Sequence, residues 1–433
     1  MKATRKSSIA SVVWRVAGKE LREAWRDGRA RWTLVMLMGL VLLASVLGWR
    51  RHVLYEAERR AAAAADRAVW ESQGPQNPHS AAHTGQYAFK PISPLSAFDR
   101  GQEDYLGVAV WLEAHYQDPA AFRPAEDQPL LARLGAASGA YVLQVLAPLL
   151  LIFLGHGAIC GERERQTLPL SLATGARGSA LACGKLLALA VVVAVLLVPV
   201  AALLLPASDA DTLVRGAALL FSYGLYLLTV STLVIGVSSI ASNTRTALIV
   251  LLCGWALCVL AVPRVGASLA EALVPSADPA AFWRAAQRDI DLGADGHDPS
   301  DARTDALRRE TIERYGVETI EDLPINFSGL ALQAGEEHGN EVFDRHYGEV
   351  QAVEARQQQV LHAVALLSPL VPLQTLSAGY AGTDPIHHWR FAHAAEQERR
   401  IQQRFLNEDL IAHPVAEGET YAADPELWRR TSQ

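Results

Sequence analysis

The chain has 433 residues, half of them hydrophobic and a fifth charged, with a net charge of −7. So much of both kinds cannot share one core, so the charges must be segregated into aqueous segments outside apolar spans. The four cysteines, Cys160, Cys183, Cys253 and Cys258, all fall in or beside apolar runs, which argues against a disulfide scaffold and against a cysteine-ligated metal site; no nucleic-acid partner is expected.

Residues 1–31 form a basic arm. Lys2, Arg5, Lys6, Arg15, Lys19, Arg22, Arg26, Arg29 and Arg31 stand against only Glu20, Glu23 and Asp27, and Lys and Arg are retained on the cytoplasmic side of a membrane. The arm is therefore expected in the cytoplasm. Ile9, Val13, Val16, Leu21, Ala24 and Trp25 recur at helical steps with Arg15, Lys19, Arg22 and Arg26 between them, the pattern of an amphipathic helix lying on anionic lipid.

Residues 32–49 give the first span, and residues 50–138 then lie outside. Arg50 and Arg51 at its outer end oppose the charge rule but are outnumbered by the arm. YEAERRAAAAADRAVWESQ continues as helix, because Ala, Glu and Arg favour it, until Gly74, Pro75 and Pro78 break it. The stretch PHSAAHTGQYAFKPISPLSAFDRG, rich in Pro, Gly and Ser, is expected to be extended or looped.

Residues 139–157 and 184–206 form spans two and three, and between them lies the charged loop 158–183. Polar groups that cannot sit in hydrocarbon must face water, so this loop marks a membrane surface. Counting crossings places it inside with the arm. Residues 215–240 and 247–263 form spans four and five, joined by the inner SNTR loop. No span carries an acid, Lys or Arg in its interior, which argues against a carrier that relays ions through buried charges. Pro148 and Pro199 can kink their helices, and Gly216, Ser222, Gly224, Gly236 and Gly254 allow close helix contacts.

Residues 264–360 form a second extracytoplasmic segment. Asp278 and Asp298 can cap helices whose first turns hold Pro279 and Pro299, and a long helix from about Leu330 to Leu367 leads back to the bilayer. In residues 361–382, Pro369, Pro372 and Gln374 make a straight crossing poor. A broken helix resting on the outer surface is expected, which leaves the tail 383–433 outside. The predicted fold is thus an all-α polytopic membrane protein with five transmembrane helices and two mainly helical extracytoplasmic segments.

Histidines raise the question of a metal. His79, His83 and His115 lie in the first outer segment, and His387, His388 and His393 near the tail. Imidazole binds Zn or Cu, and His79 and His83 are four apart, as one helix face requires. The Pro and Gly around that pair oppose a helix, and neither HExxH nor a CxxC pair occurs, so hydrogen-bonded structural histidines are expected and no metal site.

Five stretches carry a family resemblance: KELREAWRDGR in the arm, GERERQTLPLSLATGARGSALACGK in the inner loop, and NPHSAAHTGQYAFKPISPL, GVAVWLEAHYQ and AGTDPIHHWRFAHAAEQERR outside. Together they resemble the ABC-2-type transporter permeases, in the branch with large extracytoplasmic insertions. The resemblance implies a multi-pass subunit of a bacterial cytoplasmic membrane, an exporter that forms a homodimer or pairs with a related permease subunit. It also implies a separate ABC ATPase that binds ATP and Mg, with no cofactor on this chain. Glu162, Arg163, Glu164, Arg165, Thr167 and Leu168, followed by Arg177 and Lys185, would then form the coupling loop to that ATPase. Members of the branch usually carry a last apolar span after the region matching WRRT, and this sequence stops at Gln433 without one.

No catalytic signature points elsewhere. GSALACGKL from Gly178 has one residue too many between its glycines for a phosphate loop and Leu186 where Ser or Thr should hold magnesium, and no GxSxG elbow occurs. ATP hydrolysis is accordingly expected on a partner. Two other classes compete: a membrane sensor or scaffold, which would add a cytoplasmic signalling domain, and a metallohydrolase, whose outer histidines would converge with acids such as Glu113 or Glu396.

Overall fold

The structure, a computed structural model, describes residues 8–126, 138–205, 209–293, 301–415 and 420–431, apart from the side chain of Arg29. It is an all-α polytopic membrane protein. Five helices, Ala30–Glu71, Gly139–Glu164, Gly178–Ala202, Ala210–Ile240 and Thr244–Leu273, are long and apolar enough to cross a bilayer. Among the described residues, the one pair of strands is Gln86–Phe89 and Ala109–Leu112, antiparallel. Leu143, Leu151, Leu196 and Leu227 are fully buried between the spans, whereas Phe221 is 72 % and Ile240 82 % exposed, as lipid-facing side chains must be.

The span helices run past the apolar segments that define them. The first continues without a break from Gly28 to Glu71, a length of about 66 Å, roughly twice the hydrocarbon thickness. Its second half is a strut outside the bilayer. Two other spans each contain a wide π-helical turn, Val142–Leu146 and Leu257–Ala261, and each turn lies just before a proline, Pro148 or Pro263. A proline offers no N–H and its ring crowds the carbonyl four residues back, so the helix widens there instead of breaking.

The described residues of 50–126, 279–364 and 385–431 fold together at one end of the bundle. Trp70 on the strut, Ala81, Ala82 and Ala114 pack with Leu406, Leu427 and Trp428 from the tail. Trp70 Nε1 donates to the Trp428 carbonyl at 3.0 Å, and Trp428 Nε1 donates to the Gly74 carbonyl at 3.2 Å. A second core joins Ala286, Val342, Phe343 and Tyr347. Arg51, which opposes the charge rule, has a use here: it pairs with Asp104 at 2.7 Å. Helix Pro279–Ile290 is capped by Asp278, as expected. Asp298 and Pro299 lie outside the described residues, and Asp301 caps Ala302–Tyr315.

Stretch 78–82, expected to be looped, is a short helix, Pro78–Ala82, because Asn77 caps it and Pro78 fits its first turn. The long outer helix is Phe327–Val364. It breaks at Ser368 and Pro369 and resumes as Leu370–Ala381. That half-helix does not rest on an open surface: Leu370, Leu373 and Ser377 are almost completely buried, with Leu370 and Leu373 in the core of the bundle.

The arm helix Ile9–Arg26 lies at the other end. Lys2, Arg5 and Lys6 lie outside the described residues, and of the apolar residues expected to face lipid, Val16 and Leu21 are turned to the bundle while Ile9 is exposed. A Cβ at Gly184 of the third span would come within 2.6 Å of Val16 Cβ, and Leu21 leans on the bundle core, so these apolar residues face protein. Trp14 and Trp25 remain exposed.

The tail's role in this non-spanning domain is testable. Trp428→Ala removes a fully buried ring and its hydrogen bond to the Gly74 carbonyl and should cost about 3–5 kcal/mol, read as a lower thermal midpoint and rapid proteolytic loss of the tail in detergent. A midpoint equal to that of the parent protein would show the tail to be peripheral.

Candidate functional site at the arm end of the bundle

Glu162 and Lys185, expected in one polar loop, stand on two different helices. Glu162 belongs to the end of the second span and Lys185 to the second turn of Gly178–Ala202. Lys185 Nζ lies 2.9 Å from Glu162 Oε1 and 2.6 Å from Glu20 Oε1 on the arm. It is only 4 % exposed, and an ammonium so placed is stable only when its donors are met by acids. Lys19 approaches Glu162 to 3.6 Å. Partial burial works to lower the Lys19 pKa, but Glu20, Glu23 and Glu162 together hold it above the ordinary lysine value.

The next two residues clamp the turn between spans four and five. Arg163 donates to the carbonyls of Ser239 at 2.6 Å and Ala241 at 2.7 Å, at the end of Ala210–Ile240 where helix carbonyls lack intrahelical partners. Glu164 Oε1 accepts from the Thr244 N–H at 3.1 Å, the start of the fifth span. The cation thus meets a negative helix end and the anion a positive one. Ser238 Oγ adds bonds from the N–H groups of Ile159 and Cys160 at 3.0 and 3.3 Å.

Beyond the clamp the chain reverses at Gln166, whose φ is 58°, and Thr167 Oγ1 donates to the Glu162 carbonyl at 3.2 Å. A two-turn helix, Thr167–Ala173, follows, with none of its residues buried. Leu168 leans on the bundle core, while Leu170 is 67 % and Leu172 43 % exposed. Gly175, at φ 87°, turns the chain back to the third span. The structure therefore brings Glu162, Arg163, Glu164, Thr167, Leu168 and Lys185 into one assembly and leaves Arg165 and Arg177 at the solvent. The sequence places Lys19 and Glu20 in the arm without linking them to this assembly, and it does not single out Leu170 or Leu172. A Lys set inside an apolar helix was the available signal that an acid elsewhere must face it. The glycine-lysine run resembling a phosphate loop is continuous helix from Gly178 and cannot wrap a phosphate.

At the opposite end, where the non-spanning domain meets the spans, lies a cavity of about 610 Å³ lined by Tyr141, Gln144, Pro263, His362, Gln374 and Asp384, among others. Beside it runs a buried polar chain. Gln144 Nε2 donates to Tyr223 Oη at 2.7 Å, Tyr223 Oη lies 2.9 Å from Ser377 Oγ, and Ser377 donates to Asp99. Burial raises the Asp99 pKa above the usual carboxylate value. This acid enters from the segment between the first two spans, so a search confined to the spans misses it. A volume of this size is in the range of small-molecule sites.

A family described as Domain of unknown function (DUF3526) matches residues 280–428, from the helix Pro279–Ile290 through the half-helix to Trp428. No curated protein matches the chain.

Lys185→Met leaves Glu162 and Glu20 facing each other across a buried gap and should cost about 3–5 kcal/mol. The triple variant Lys185→Met, Glu162→Gln, Glu20→Gln should recover most of it. Thermal midpoints in detergent check both, and equal midpoints for the single and triple variants would contradict the node.

Proposed function

We propose that the chain is the membrane-spanning permease subunit of an ABC-2-type transporter, an exporter driven by a separate ATP-binding subunit. The observation that carries this reading is Thr167–Ala173: a short helix with bare leucines, held between two spans by turns at Gln166 and Gly175. In this reading the arm end faces the cytoplasm, in accord with its basic charge, and Leu170 and Leu172 enter a groove of the ATPase. Nucleotide-driven closure of the ATPase pushes the helix, and the charge clamps pass that push to the spans. The cavity at the far end receives the cargo on its way to the outer side. The reaction on this chain is mechanical, with ATP and Mg held by the partner, and a second permease subunit, identical or related, completes the pathway.

The residues to alter are the exposed leucines. Glu162 and Glu164 are bonded within the bundle, so changing them mixes uncoupling with destabilisation, whereas Leu170→Asp with Leu172→Asp alters only the exposed face. Purified from its own host's membranes, the parent chain should bring down an ABC ATPase and stimulate its ATP hydrolysis. The double variant should lose at least tenfold of both at an unchanged thermal midpoint. A folded parent chain that captures no ATPase removes the proposal.

A further inference from the structure

His79, His83 and His115 come together on the outer domain, all their nearest ligand atoms lying within 4.8 Å of one another. The three rings form a nearly equilateral triangle, with centroids 4.8, 5.0 and 4.9 Å apart. The Nε2 atoms of His79 and His83 are 3.2 Å apart. Four nitrogens held tetrahedrally at the Zn–N distance are separated by about 3.3 Å along each edge, so this pair already has the spacing of two zinc ligands. Two imidazoles at that distance can share either a proton or a cation. The third ring, equally placed, favours the cation.

The supports of the triangle are rigid. The helix Pro78–Ala82 places His79 and His83 one turn apart, and Ala81 and Ala82 between them are buried in the tryptophan core. His115 follows Glu113 and Ala114, whose carbonyls accept from the buried Arg399 guanidinium at 3.3 and 2.9 Å. Arg399 is itself held by Glu396 at 2.8 Å. On the far side of His79, Glu336 Oε1 lies 3.9 Å from Nδ1. Its other oxygen accepts from Asn407 at 2.7 Å, while Oε1 has no hydrogen bond. A buried carboxylate behind the remote nitrogen is the usual outer-sphere partner of a metal-bound imidazole. His83 is exposed, which leaves a route in for an ion.

We propose that His79, His83 and His115 supply three imidazole ligands to a site for a divalent transition-metal ion, Zn²⁺ foremost, with Glu336 orienting His79. Three neutral nitrogen donors without a first-sphere carboxylate suit zinc and copper and not calcium or magnesium. The convergence the sequence withheld rests on His115, which joins a pair more than thirty residues away. The site is separate from the arm-end assembly, so failure to capture an ATPase leaves this proposal untouched.

The test uses the full chain in detergent, without a polyhistidine tag and stripped with EDTA. Calorimetric titration with Zn²⁺ alone should give one equivalent per chain, and Co²⁺ should give the intense visible bands of a four-coordinate site. His83→Asn and His115→Asn should each weaken Zn²⁺ binding at least 100-fold, and Glu336→Gln by about 10–100-fold. His393→Asn, at a histidine outside the triangle, should change nothing. Because His83 is exposed, His83→Asn should keep the metal-free thermal midpoint of the parent. Folded parent protein that takes up no stoichiometric Zn²⁺ overturns the proposal, as does undiminished binding in the His83 and His115 variants.

Discussion

Within hydrocarbon an apolar side chain gains little by facing another helix rather than a lipid tail, so something other than the hydrophobic effect must fix the register of the five spans. In this protein charged and polar side chains at the two ends of the bundle do so. Lys185 can be buried only because Glu162 and Glu20 reach it from two other helices, which specifies where the arm and second span must sit. Arg163 and Glu164 fix the fourth and fifth spans in the same way, by completing helix ends that lipid would leave unsatisfied. Close packing fills in the rest, as where Val16 lies against the bare backbone of Gly184.

The far end obeys the same constraint with a buried chain of polar groups. Gln144, Tyr223, Ser377 and Asp99 come from the second span, the fourth span, the half-helix and the outer segment. Each polar group there is removed from water and has a partner in its neighbour, so the four elements are specified jointly. The half-helix needs this arrangement. It has only 12 residues, about 18 Å of helix, too short to cross a bilayer, and its place is set by Ser368 donating to Cys258 at 2.7 Å and by Ser377.

What could be read from the sequence was local. The five spans follow from runs of apolar residues, the break near Ser368 and Pro369 from proline chemistry, and the Asp278 cap from its neighbour Pro279. The residues 162–185 were found because charge between two spans has nowhere to go but the surface. What could not be read was pairing at long range: Lys185 with Glu20 across 165 positions, Trp70 with Trp428 across 358, and the folding of three non-spanning segments into one domain. A periodic pattern states which face of a helix is apolar but not whether protein or lipid covers it, which is why Val16 and Leu21 were assigned to the membrane. The helix at Pro78 was legible in principle, since Asn77 before it is a cap signal, but the density of Pro and Gly nearby outweighed it.

The two kinds of clamp divide the arm end into groups. Gly184 and Glu20 bind the arm to the third span, and the arm runs on through Gly28 into the first. Arg163 and Glu164 bind the second span to the fourth and fifth. Among the described residues, the ion pairs that join one group to the other both end on Glu162, from Lys185 and from Lys19. Thr167–Ala173 is tied at one end to the carbonyl of that same Glu162 and at the other, through Gly175, to the third span. In the proposed function, a push on the exposed leucines therefore reaches the ionic joint between two internally braced groups. Lys185 and Glu162 are both buried, so separating them is costly, and the joint at Glu162 holds the two groups together.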